Sequence, residues 1–274
     1  MLLNEIKGLL ESKISPKRYN FKSRIYGIHY GEESKNKVIR KIMVTIDLSL
    51  ESIHFALKKK VNLIISLNGL INKPITNFNS ELINKLTLLS RYPIDIFVLN
   101  RSFIAAEGGI SDTIMSALSL KLDQPFFIKN RNSNLIPVGR LCMPLIYQNH
   151  EKKLALEDLI IRIRTNLKIN DIYYVGDLKR HIEKICIIGG ELLLTEYLKE
   201  LKNLSCDCLI SGEMSTSIAK IAKDMDICLI NIPLFKIKTL ALRKLCNFLS
   251  LKYPNDDFFF FEAENPLKPY NYIS

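Results

Sequence analysis

Few side chains in this sequence are suited to metal or acid–base chemistry, and those few are scattered. The four histidines are His29, His54, His150 and His181, and no two stand at metal-ligand spacing. Six cysteines occur, at positions 142, 186, 206, 208, 228 and 246, mostly inside apolar runs. Cys206-Asp207-Cys208 could begin a metal site, but no second cysteine pair or nearby histidine completes one. The thiols are therefore expected to be reduced and buried. Gly189-Gly190 follows the apolar run KICII and precedes a predicted helix. A glycine pair there admits a phosphate to a helix N-terminus, or simply makes a tight turn. No nucleophile elbow, kinase signature or Gly-rich phosphate loop is present. The segments just after Asp47, Ser66, Leu99, Ile188, Ser211 and Asn231, at the ends of predicted strands, are where a ligand would be sought. Asp47 and Asp112 suit helix-capping positions, and Gly108-Gly109 suits a turn.

The elements that would position these groups alternate between strand and helix. Predicted strands are Lys41–Asp47, Val61–Ser66, Ile94–Leu99, Asp171–Val175, Lys184–Ile188, Cys208–Ser211, Asp226–Asn231 and Asp257–Phe261. Helices are expected over the first fifteen residues, from Ser49 to Lys60, at Ser80–Ser90, from Ser111 or Asp112 to Leu120, at Lys153–Leu167, Glu191–Leu201 and Thr216–Lys223, and at about Thr239–Leu251. Lys121–Pro137 is polar, asparagine-rich and irregular, so the lobe boundary is placed there: an N-terminal α/β lobe over 1–130 and a C-terminal one over 131–274. The alternation predicts an α/β protein of two similar lobes, each a mainly parallel sheet covered by helices, with a cleft between them. Ligands of such sheets sit at the carboxyl ends of the strands.

With 274 residues, 47% of them hydrophobic and 24% charged, the chain can bury a sizeable core. No apolar run reaches the ~20 residues a membrane span needs, and the first residues, broken by Glu5, Lys7 and Glu11, do not read as a signal peptide. A soluble, cytoplasmic protein is expected. The net charge of +11, from 39 basic and 28 acidic residues, could attract nucleic acid; the lysines are dispersed, with small clusters at Lys17-Arg18, Arg40-Lys41 and Lys179-Arg180.

The segments after the strands, taken together, resemble the Nif-three-like family, whose bacterial members are catalogued as GTP cyclohydrolase 1 type 2 homologues. MVTIDLSLESIHFALKKKVNLIIS resembles the stretch in which a strand ends in Asp, a helix follows, and a second strand leads to Ser-His-His-Pro. AAEGGISD (105–112) is similar to Asp-Ala-Ala-x-Gly-Gly-x-Asn-Asp, and VGRLCMPL (138–145) to Gly-Arg-x-Gly-x-x-x-Pro. SGEMS (211–215) resembles the eukaryotic-type Thr-Gly-Glu-Met-Ser-His-His, and the end carries an acidic stretch before Asn265-Pro266-Leu267. The resemblance implies two divalent metal ions held between the lobes by His and carboxylate ligands.

It is at those ligands that this chain departs. Ser-His-His-Pro becomes Ser66-Leu67-Asn68-Gly69. His-Thr-x-Leu-Asp becomes Asn100-Arg101-Ser102-Phe103-Ile104, so Asn100 replaces a His and Ile104 the Asp. Gly-His-x-x-Ser/Thr-Glu becomes Pro233-Leu234-Phe235-Lys236-Ile237-Lys238, and Ile230–Leu240 holds no His or acid. Thr216 and Ser217 replace the paired histidines after Gly-Glu-Met-Ser. The expectation is a vestigial cleft containing Asp47, Leu67, Asn68, Asn100, Ile104, Glu107, Asp112, Glu213, Thr216, Ser217, Leu234, Phe235 and Lys238, without metal, since Leu and Ile cannot ligate a hard or borderline divalent ion. A non-catalytic binding or interaction module is the first functional expectation. The alternatives are a metal-dependent hydrolase of nucleotide-like substrates and a nucleic-acid-binding protein. No cofactor is expected. The resemblance further implies a homo-oligomer, a dimer or a hexameric ring, and an unidentified protein or small-ligand partner; the chain is too short to hold the family's optional middle domain near Lys121–Pro137.

Overall fold

The computed structural model describes residues 1–14, 26–31, 36–72, 74–129, 135–145, 154–191, 196–212 and 214–267. The chain forms two compact units, and neither is one continuous stretch. Unit 1 comprises Met1–Phe103 and Thr239–Pro266; unit 2 comprises Ile104–Lys238 and Leu267–Ser274. The division thus falls near residues 103 and 238, not at 130/131.

Unit 1 is built on a five-stranded sheet in the order β1-β4-β3-β2-β11. Its strands are β1 (Gly27–Tyr30), β2 (Lys41–Thr45), β3 (Leu63–Ser66), β4 (Asp95–Val98) and β11 (Asp257–Phe260). All pairings are parallel except β1 with β4. The inner strands β3 (LIIS) and β4 (DIFV) are mostly apolar and fully buried, as a sheet with two covered faces requires. Helix α2 (Leu50–Lys59) starts where Ser49 Oγ accepts from Ser52 N and stops where Lys60 turns left-handed, φ 56°. Its Ile53 and Ala56 pack with Leu89 of α3 (Ser80–Leu89) on Met43, Ile64, Ile96 and Val98. The unit also holds α1 (Leu3–Ile14) and most of α9 (Leu234–Lys252).

Unit 2 has a six-stranded sheet in the order β5-β6-β8-β9-β10-β7. The strands are β5 (Leu120–Lys129), β6 (Leu135–Pro144), β7 (Tyr173–Val175), β8 (Ile185–Glu191), β9 (Cys208–Gly212) and β10 (Cys228–Asn231). Only β8-β9-β10 run parallel; β5, β6 and β7 add antiparallel pairings, so this sheet is mixed rather than mainly parallel. Helices α7 (Glu196–Asn203) and α8 (Thr216–Asp224) cover one face through Leu198, Leu201, Ile218 and Ala222. Helix α5 (Ile110–Ala117) packs on β8 and the hairpin, next to α6 (Leu156–Leu167), and a short α4 (Ser102–Ala105) precedes it.

The segment expected to be an irregular boundary is therefore mostly a hairpin. Pro125 sits in the outermost strand, and Pro137 sits at a register shift, the two places where a sheet tolerates proline. Asn130, Asn132, Ser133 and Asn134 lie outside the described residues. Helix α9 starts five residues before the expected Thr239, so Leu234 and Phe235 are helical. The cap of α5 is Gly109, not Ser111 or Asp112.

Candidate functional site: the strand ends of each unit

In unit 1, four of the thirteen candidate positions come together at the carboxyl ends of β2, β3 and β4. Backbone bonds join these ends: Leu67 N donates to Thr45 O, Asn68 N to Ile46 O, and Asn100 N to Leu67 O. The Asn68 side-chain amide donates to Asp47 Oδ1 at 2.6 Å. Asp47 is thus not the helix cap; Ser49 is, and the Asp47 carboxylate holds Asn68 instead. Leu67 is buried, 4% exposed. Asn100 adopts a left-handed φ of 50°, which asparagine tolerates better than most residues. A residue the sequence reading left aside also lies here: His29, on β1, faces the same loop. A methyl group on Gly69 would sit 3.1 Å from its ring.

In unit 2, Asp112 is the third residue of α5. It accepts from Gly108 N at 2.8 Å and from Arg140 Nε at 2.7 Å. Arg140, 5% exposed, also donates to the carbonyls of Gly139 and Ala106. The two motif segments AAEGGISD and VGRLCMPL are therefore tied by one buried ion pair, and the pair fixes the turn bearing the exposed Glu107, where Gly108 has φ +72°. Thr216 and Ser217 open α8, exposed, behind the Ser215 cap. Glu213 lies outside the described residues. Leu234 is 1% exposed, and Phe235 and Lys238 are half-buried on α9.

Gly189-Gly190 forms no open phosphate cradle. A methyl on Gly189 would lie 2.6 Å from Ile110 Cγ2 and 2.8 Å from Ser111 N, so the glycine serves close packing of α5 on β8. Its N–H donates to Ser111 Oγ. All six cysteines are free and buried; burial pushes the Cys142 and Cys206 thiols up to about 12. Among the described residues, no three His, Cys, Asp or Glu side chains are grouped to hold a metal ion. Two of the three basic clusters are engaged by acids, Arg40 with Asp256, Lys41 with Asp257 and Arg180 with Asp226; Lys17-Arg18 lies outside the described residues. No helix among the described residues is long and apolar enough to cross a membrane.

Two α/β units with helix-covered sheets, whose motif segments stand at strand ends and helix starts, define a scaffold of the kind that carries ligands at its strand ends. The family is identified by a match over residues 1–266 to the model of Duf34/NIF3 (NGG1p interacting factor 3): the chain belongs to the DUF34/NIF3 family. A Clostridium perfringens protein named GTP cyclohydrolase 1 type 2 homolog is 24% identical over 272 residues, covering 98% of this chain and 99% of that one. A Methanocaldococcus jannaschii protein of the same name is 18% identical over 250 residues, covering 91% and 95%. Among solved structures, a Bacillus cereus protein related to NIF3 superposes with TM-score 0.77 at 14% identity, covering 100% and 99%. Reduced HcgD from Methanocaldococcus jannaschii also gives 0.77, at 19% identity, covering 96% and 98%.

The two-metal centre implied by the resemblance can be tested against the side chains present. Leu67, Ile104 and Leu234 offer no donor atom, and the Asp47 carboxylate accepts from the Asn68 amide N–H. These residues do not fit such a centre.

Proposed function

We propose that this DUF34/NIF3 protein is a non-catalytic binding or interaction module that keeps the family scaffold without its two-metal chemistry, and that it works as a homo-oligomer. The observation that carries this reading is the apolar character of Leu67, Ile104 and Leu234 at three ligand positions, two of them fully buried. The motif residues that remain support a scaffold role. Asp112 and Arg140 pair with each other, and Asp47 binds Asn68. The competing reading is a metal-dependent hydrolase of nucleotide-like substrates, favoured by the name of the similar clostridial protein. Elemental analysis of the purified chain after dialysis, with a GTP hydrolysis assay and light scattering on the same sample, separates the two. The expected result is no stoichiometric zinc, iron or manganese, no metal-stimulated hydrolysis, and a mass above one chain. About one metal ion per chain that survives dialysis would establish the hydrolase reading instead.

A further inference from the structure

We infer that the positions from which the family ligates metal have become, in this chain, packing and hydrogen-bonding positions that hold the strand ends themselves, so that ligands returned to them would disrupt each unit rather than recruit an ion. The inference rests on the reading above and adds what took the place of the metal. In unit 2 the replacements cover two glycines at neighbouring strand ends. A methyl on Gly190 would lie 2.8 Å from Cδ1 of Ile104, so the tip of that side chain rests over the glycine. A methyl on Gly212 would collide with Leu234 Cγ and lie 2.8 Å from its Cδ2. The glycines belong to adjacent strands, β8 and β9, whose ends are joined by Ser211 Oγ donating to Gly190 O at 2.9 Å. Ile104 and Leu234 thus act as two apolar plugs at the carboxyl end of the sheet. A carboxylate or imidazole at either position would lose that packing, and at the buried Leu234 it would also take a polar group out of water. In unit 1 the device is polar: the Asn68 amide supplies the positive end of a hydrogen bond to Asp47, the part a cation would otherwise play.

The test is thermal unfolding of the full chain, with and without excess zinc or manganese chloride, for Ile104→Asp and Leu234→His beside the apolar controls Ile104→Val and Leu234→Met. The polar variants should lose about 5 °C or more in Tm, unrelieved by metal, while the controls stay within about 3 °C. A second measurement holds even where the polar variants fail to fold. Gly190→Ala should lower Tm, and adding Ile104→Val, which removes only the Cδ1 that the new methyl would meet, should recover part of the loss. Polar variants as stable as the parent, a Tm raised by metal in those variants, or a Gly190→Ala loss equal in both backgrounds would each overturn the inference. A parent chain that itself retains zinc through dialysis would overturn the functional reading as well. A metal-free parent whose ligand-restored variants gain zinc would leave that reading standing and remove only this one.

Discussion

Asp112 and Arg140 form the pair with the clearest energetic role among the motif residues. The side chains are 18% and 6% exposed, and the guanidinium also serves two backbone carbonyls. Removing one partner strands the other charge away from water. Arg140→Met is expected to cost about 3–5 kcal/mol, read as a lower urea midpoint at unchanged m-value; Arg140→Lys should recover little, because an ammonium cannot reproduce the planar fork. The sequence pointed to both segments through their resemblance to family motifs, and suggested a cap for Asp112. It could not show that the chain brings together two residues 28 positions apart. Likewise nothing in the type of Asp47 or Asn68 announces that one holds the other; that depends on β2 and β3 lying side by side.

Elements with strong local signals were legible. Ser49 reads as a cap followed by an apolar-periodic run and a lysine triplet, and α2 has those ends. Ser49→Ala should destabilise by about 1 kcal/mol, seen as a drop of about 2–4 °C in Tm, with the far-ultraviolet spectrum unchanged below the transition. The parallel strands were legible because full burial makes them continuous apolar runs. The β5–β6 hairpin was not, since its outer strand is exposed along most of its length and prolines fall in both of its strands. Nor was β1, four half-buried residues that pair antiparallel with β4. Missing β1 also hid the position of His29 beside Gly69. Helix α9 was begun late because Lys236 and Lys238 break the apolar pattern of its first turns; Lys236 is held there by donating to Lys168 O, a contact no local pattern foretells.

At the scale of the molecule, the thiols set a pH limit on stability. Burial pushes Cys142 and Cys206 up to about 12 and Cys246 up to about 11, and raises Cys186 and Cys208 well above the ordinary range. Unfolded thiols release protons from about pH 8.5, while the folded ones keep theirs to pH 11 or beyond. The unfolded state therefore binds fewer protons in that window, and stability falls as pH rises through it, by up to about 1.4 kcal/mol per pH unit for each thiol. Urea midpoints between pH 8 and 10.5 should fall in the parent and fall less steeply in a Cys142→Ala, Cys206→Ala variant; parallel slopes would show that these thiols are not shielded. The division of the chain is another property of the whole that local pattern could not supply, because unit 1 takes both its first and its last strands from distant parts of the sequence. That discontinuity has a consequence for biosynthesis. Strand β11, which pairs with β2 along Lys41–Val44, leaves the ribosome only after all of Ile104–Lys238 has been made. At about 5–20 residues per second the flank of β2 waits on the order of 10–40 s for its partner. The sheet of unit 2 can form during translation, while the first sheet to be begun is the last to be completed.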